Sequence, residues 1–212
     1  MLQRADIQKD GHRADHVLIS EMVSRGARVL DVGCGDGSLL QLLEARCDVD
    51  GRGIEISRER VNACVARGLS VIQGNADSDL ADYPDKAFDY AILSLTIQAT
   101  REPKPVLENL LRIGRQAIVS FPNFGHWEIR WKLLTSGRMP RTRNLPEPWY
   151  LSPDSHLCTI ADFVDLVAIV GADVKQAVAF NSAGRRLPIN RSLGLQNVFG
   201  EKAVFVLEQR AR

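Results

Sequence analysis

Apolar positions along this chain alternate between two periods, and the switches come in a regular order. Val17, Leu18, Glu21, Met22 and Ser24 lie at helical spacing and predict an opening helix, closed by Gly26 as a left-handed C-cap. Arg28-Val29-Leu30-Asp31-Val32 is short, apolar and β-branched, so it reads as a strand. It runs into Gly33-Cys34-Gly35-Asp36-Gly37 and then the helical pattern Leu39, Leu40, Leu42, Leu43. A second strand, Gly51 to Ile56, leads to Ser57 as the N-cap of a helix through Val61, Cys64 and Val65, ended by Gly68. Strands at Val71-Ile72-Gln73 and Phe88 to Leu95, a helix from Pro103 through Leu107, Leu110 and Leu111, and a strand from Ala117 to Phe121 continue the alternation. Such an order predicts a parallel sheet with helices on both faces.

Residues 122–153 break the rhythm with three tryptophans, several prolines and a basic run, and read as an insertion or lid after the fifth strand. Thr159-Ile160-Ala161-Asp162 then has the spacing of a capping box, with Asp in the place of Glu or Gln. It opens a helix through Phe163, Leu166, Val167 and Val170 to Gly171. Val174 to Phe180 and Ala203 to Leu207 are expected to pair as a closing antiparallel edge, joined by a loop from Asn181 to Asn197. The count is seven strands.

Composition narrows the reading. A chain of 212 residues, 45% hydrophobic and 25% charged, is in the range of one core, so a single domain over 1–212 is expected. With 27 basic and 26 acidic residues the formal charge is +1, and no global field draws the chain to nucleic acid or an anionic membrane. Cys34, Cys47, Cys64 and Cys158 are unevenly spaced, with no C-x-x-C pair, and read as reduced thiols. The start, MLQRADIQKDGHRADH, has no apolar h-region, and no apolar run approaches the ~20 residues of a bilayer span, so a cytoplasmic protein is expected. His12 and His16 stand four apart, but without a third ligand a solvated face is the expectation rather than a metal site.

The glycine cluster carries the chemistry. In open α/β sheets the ligand sits beyond the carboxyl ends of the strands, where the first turn lets backbone approach it closely. Gly33 and Gly35 supply that turn, with Cys34 between them as a small space-filling residue, and Asp31 stands just before, placed to orient a cationic ammonium. Glu55 closes the second strand about 20 residues on, where a carboxylate accepts ribose hydroxyls, with Ile56 next to it. Asn75 and the backbone N–H of Ala76, after the third strand, are positioned to read adenine, and Ser94, near the end of the fourth, completes the expected cofactor-binding set. An NAD site is the competing reading, but G-x-G-x-x-G needs glycine at position 38, which is Ser38, and D-x-G-x-G-x-G fits S-adenosylmethionine better. Asp89, opening the fourth strand, reads as an organiser of structure.

The motifs Asp31-Val-Gly-Cys-Gly-Asp-Gly, Phe88-Asp89-Tyr90-Ala-Ile-Leu-Ser94, Ala117-Ile-Val-Ser-Phe-Pro-Asn-Phe-Gly-His-Trp127 and Gly137-Arg-Met-Pro together resemble the MetW family of methionine biosynthesis proteins, from about Arg13 to Gly171. Asn75 departs from the aspartate that family favours, although an amide oxygen still accepts from an adenine amine. The resemblance implies a doubly wound, mostly parallel seven-stranded sheet of the class I methyltransferase type and S-adenosylmethionine or S-adenosylhomocysteine as ligand. It also implies partnership with the homoserine O-acyltransferase, acetyl or succinyl, of methionine synthesis.

An active small-molecule methyltransferase is the alternative, and an RNA methyltransferase or binder a third reading. No N-P-P-[YF] tetrad follows the fourth strand, where Ser94-Leu95-Thr96-Ile97-Gln98 stands instead. His126 and His156 are the histidines a general base would draw on, and a hydrogen-bonded or surface histidine is the commoner role. Between Arg130 and Arg143 the chain holds Lys132, Arg138 and Arg141 with no carboxylate, and Trp127 and Trp131 share a helical side. Trp127, Trp131 and Arg138 therefore either belong to a docking helix or, for the two indoles, roof the core.

Overall fold

The structure, a computed structural model, describes residues 12–142, 146, 148–152, 156–181, 184–188 and 193–210. Its helices are α1 (Ala14–Met22), α2 (Ser38–Cys47), α3 (Arg58–Val65), α4 (Pro103–Ile113), α5 (Trp127–Ser136), α6 (Ile160–Ile169) and α7 (Leu193–Phe199). Its strands are β1 (Arg28–Val32), β2 (Asp50–Glu55), β3 (Val71–Gln73), β4 (Phe88–Ser94), β5 (Gly114–Pro122), β6 (Ala172–Phe180), β7 (Arg186–Pro188) and β8 (Lys202–Gln209). They form one sheet in the order β3-β2-β1-β4-β5-β8-β6-β7. β1 to β5 pair in parallel, and β8 runs antiparallel between β5 and β6.

The period of two along each strand separates two cores. From β1, Leu30 and Val32 join Leu107, Leu110 and Leu111 of α4 and Phe163 and Val167 of α6, while Val29 faces Leu18 and Ile19 of α1 and Leu39 and Leu43 of α2. Phe121, Phe163 and Phe205 anchor the first core, with ring centroids 4.6, 4.9 and 5.9 Å apart. Burial of each phenyl ring contributes about 1.5–3 kcal/mol. A third cluster under β2 and β3 packs Cys34 against Leu40, Val61, Cys64 and Leu69.

The local signals behave as the sequence predicts at two helix starts. Ser57 accepts from Arg60 N, and Thr159 and Asp162 form both halves of a capping box. Other expectations are corrected. The sheet has eight strands rather than seven, because the segment read as a loop from Asn181 to Asn197 contains β7 and the start of α7. The pair β6 and β8 is antiparallel as expected, but β8 is interior, since its alternating apolar residues face both cores, and β7 takes the edge. Gly26 has φ 72° but lies beyond the helix end, where its N–H donates to Cys47 O; α1 is capped at Val23. His16 is buried rather than solvated, because α1 turns Asp15 and His16 down onto the sheet. Asp89 has the structural role expected of it, accepting from Arg28 N at 2.9 Å and pairing with Arg115 at the amino ends of the strands. Arg143 and Pro153 lie outside the described residues. No helix among the described residues is long and apolar enough to cross a membrane.

Candidate functional site

The carboxyl ends of β1, β2, β3 and β4 surround a cleft of about 370 Å³ lined by Gly33, Ile54, Glu55, Ile56, Arg60, Gly74, Asn75, Ala76, Asp77, Leu95, Thr96, Ala99 and Thr100. Its first wall is the turn after β1. Gly33 (φ 72°) and Gly35 (φ 59°) adopt the left-handed conformation that a side chain disfavours. A Cβ on Gly33 would lie 2.7 Å from Thr96 Cγ2, so the turn and the start of the β4 loop close against each other only at glycine.

Glu55 fixes that turn from the next strand. Its carboxylate is buried and accepts from Gly35 N at 2.9 Å and from Ser57 N at 3.0 Å. Each oxygen retains lone-pair capacity for a ligand hydroxyl. Arg60 stands 4.0 Å from the same carboxylate. Beyond β3, Asn75 Oδ1 accepts from Asp77 N at 3.0 Å, and the Asp77 carboxylate accepts from Arg101 N and Glu102 N, which locks the loop. Leu95 is a non-glycine residue at φ 54°, held there by donation of its N–H to Ser120 O and Ser120 Oγ. That conformation costs about 1–2 kcal/mol, and such strain concentrates at sites where the surrounding structure fixes it.

Four of the nine residues singled out from sequence are not among the residues that line this cleft. Cys34 points away, into the cluster with Cys64, and burial pushes its thiol up, which disfavours the thiolate form. Gly35 contributes its N–H to Glu55. Ser94 Oγ donates to Asp15 Oδ2 at 3.1 Å and lies 3.4 Å from Ser120 Oγ. Asp31 is 1% exposed, and its Oδ1 has no hydrogen-bond partner among the described residues. Burial drives its carboxyl up to about 7; Arg13 opposes the rise, while Glu55, Asp15 and Asp36 add to it. Gly33, Glu55, Ile56, Asn75 and Ala76 line the cleft together, Ile56 as an exposed rim residue.

The sequence reading missed Arg13, Asp15, Thr96 and Asp77. Arg13 forms an ion pair with Asp15 and reaches Ser94 Oγ at 3.5 Å, which brings the opening helix over the ends of β1 and β4. Burial works against charge on Asp15, but Arg13, His16 and Lys202 together outweigh it and the carboxyl falls to about 2. Burial lowers His16 to about 4. No local pattern signals these roles, since a polar stretch before a helix is ordinarily solvent-facing. His126 is buried as the N-cap residue of α5, and His156 is exposed with its N–H on Gln98 O; neither lines the cleft. Trp127 and Trp131 are half-exposed or more, so they do not roof the core.

Comparison with known proteins bears on the family and the fold. The chain matches the family described as Methionine biosynthesis protein MetW over residues 13–207. It is 33% identical over 183 residues to the Bifunctional methionine biosynthesis protein MetXA/MetW of Rhodopirellula baltica, an alignment covering 82% of this chain and 29% of that one. With Ajmaline N-methyltransferase of Rauvolfia serpentina it shares 30% identity over 123 residues, 49% of this chain and 42% of the relative. The chain therefore spans less than half the length of either relative. Among solved structures, an S-adenosylmethionine dependent methyltransferase from Mesorhizobium loti superposes with a TM-score of 0.67 at 15% identity, covering 94% of this chain and 99% of the other. The fold is that of the S-adenosylmethionine-dependent methyltransferases, and by its sequence the chain belongs to the MetW family of methionine biosynthesis proteins.

Proposed function

We propose that this chain is a single methyltransferase-like domain of the cytoplasm that binds S-adenosylmethionine or S-adenosylhomocysteine in the strand-end cleft and acts as partner of the homoserine O-acyltransferase. The observation that carries the ligand is Asp31: a fully buried carboxylate with an unpartnered oxygen, beside a turn of left-handed glycines, matches a ligand ammonium. In this reading Glu55 accepts from the ribose hydroxyls, Asn75 and the Ala76 N–H meet adenine, Ile56 packs on the base, and Gly33 to Gly35 admit the methionine portion. Ser94 holds Asp15 in the layer behind them. S-adenosylmethionine would bring an activated methyl group to this place.

The lining offers a polar ligand the carboxylates of Glu55 and Asp77 and the hydroxyls of Thr96 and Thr100. The Rhodopirellula relative, whose name joins MetXA and MetW in one bifunctional protein, supports the partnership. The docking residues proposed from sequence are Trp127, Trp131 and Arg138.

The decisive experiment is a titration of the homoserine acyltransferase with this protein, with and without S-adenosylhomocysteine, reading complex formation and acyltransferase rate. Co-elution and a changed rate are expected. Neither complex nor rate change would sink the partnership, and absence of calorimetric S-adenosylhomocysteine binding would sink the ligand.

A further inference from the structure

Among the described residues, most of the large hydrophobic side chains that remain exposed fall on α5, on the segment after it and on α7. Trp127, Trp131 and Leu134 stand at i, i+4 and i+7 of α5, are 50%, 61% and 80% exposed, and form one stripe. Ile129 is the buried anchor of that helix, so α5 turns an apolar face to each side. On α7, Leu195 and Phe199, also four apart, are 67% and 51% exposed. Contiguous exposed apolar surface of this kind marks an interaction site.

The two helices meet at a hollow of about 640 Å³ framed by Trp127, Leu187, Leu195 and Phe199, with His126, Arg185 and Glu201 at its polar edge. It shares no lining residue with the strand-end cleft. The hollow is preformed. Buried Asn123 donates to Asn197 O and Gly200 O, both at 2.8 Å, and accepts from Gly125 N and Ile160 N, which fastens the end of α7 to the corner between β5 and α5. A Cβ on Gly125 would meet Asn197 Oδ1 at 2.7 Å, so the corner is closed up against α7.

Charge selects the occupant. Glu128 is paired with Lys132 at 2.7 Å, which leaves Arg130, Arg138 and Arg141 exposed around the stripe and Arg185 exposed at the hollow. In a two-fold dimer this face would meet itself and set arginine against arginine. An apolar anchor surrounded by carboxylates is what complements it. We propose that α5 and α7 form one composite docking face, whose hollow takes an apolar anchor side chain of the homoserine O-acyltransferase while acidic residues of that enzyme meet Arg130, Arg138 and Arg141. This inference rests on the partnership proposed above and adds α7 and the hollow, which sequence did not mark.

The test measures affinity between the acyltransferase and the full chain by titration calorimetry, with Leu195→Asp, Leu134→Asp, Trp131→Ala and Arg138→Glu, and with Ile169→Asp, at an equally exposed apolar position on α6 (68%), as control. Unchanged melting temperature and S-adenosylhomocysteine affinity establish that a variant is folded, and with two Asp variants at exposed positions a failure of one leaves the other to decide. Each face variant should raise Kd about tenfold or more, and the control should not. Wild-type binding that survives every face variant overturns the docking face and leaves the partnership standing. Absence of wild-type binding overturns both. Self-association, or binding to phosphatidylcholine–phosphatidylserine vesicles, that the same variants abolish while acyltransferase affinity holds would also overturn the face.

Discussion

The strand-end cleft and the α5–α7 face lie on the same carboxyl side of the sheet and are built on opposite principles. In the cleft, carboxylates are satisfied by backbone: buried Glu55 by two N–H groups, exposed Asp77 by two more. On the face, apolar groups are exposed and the buried polar work is concentrated in Asn123. The first arrangement suits a small polar ligand, whose hydroxyls and ammonium replace water at fixed acceptors. The second suits a macromolecule, because exposed tryptophan and leucine gain only from large apolar burial. A protein with both has a ligand site and a partner site that can be perturbed separately.

The largest separable effect is expected at Asn123. Asn123→Ala strands the carbonyls of Asn197 and Gly200 and the N–H of Gly125 in a buried corner, at about 1–3 kcal/mol for each group left unsatisfied. Denaturant titration should show a loss of about 3 kcal/mol or more, while ligand affinity of the folded fraction stays close to wild type. A parallel loss of ligand affinity would mean that the two regions are one unit. Next is Glu55→Ala, which removes the acceptor of Gly35 N and Ser57 N and the charged acceptor of the ligand ribose. Calorimetry with S-adenosylhomocysteine should show a loss of about 1.5–3 kcal/mol, or roughly 10–150-fold. Unchanged affinity would refute the placement of the ribose.

A smaller and pH-dependent effect comes from Asp31. Its carboxyl is raised from 3.8 to about 7, so between those values the folded chain holds a proton that the unfolded chain has released. Stability from this group therefore falls as pH rises toward about 7 and is level above it. His16, lowered from 6.5 to about 4, tilts the curve the other way between those two values, because there the unfolded chain takes up the proton. The Asp31 contribution is thus read as the difference between wild type and Asp31→Asn, which should favour the variant increasingly up to about pH 7. A ligand ammonium reverses the preference: S-adenosylhomocysteine should bind wild type more tightly as pH rises through 7, and Asp31→Asn with a flatter profile. Parallel profiles would remove Asp31 from the ligand's neighbourhood. The smallest effect is expected for Trp131→Ala, which should change stability by less than about 0.5 kcal/mol in a melt, since the indole is 61% exposed. A loss comparable to a core deletion would show that the face is part of the fold rather than presented to a partner.

What was legible in the sequence was what short-range chemistry dictates. The strand, glycine turn and helix from Arg28 to Cys47 could be read because glycine takes φ near +60 to +75° in that turn without the strain a side chain brings, and the period change on either side marks it. The same holds for the Thr159–Asp162 capping box, whose two hydrogen bonds are closed within three residues. The position of Glu55 at a strand end also follows from spacing.

Tertiary structure alone decided the rest. Arg13 and Asp15 belong to the site only because α1 crosses the ends of β1 and β4, and Ser94 lies 79 residues from the carboxylate it meets. β7 is three residues long and owes its strand conformation to pairing with β6, so no window of its own sequence carries the signal. The tryptophans of α5 were ambiguous because helical periodicity shows which residues share a face but not which way that face turns. That direction is set by Ile129 and the Asn123 corner, through contacts distant in sequence. Local backbone preference is written residue by residue, whereas burial depends on what the rest of the chain brings alongside.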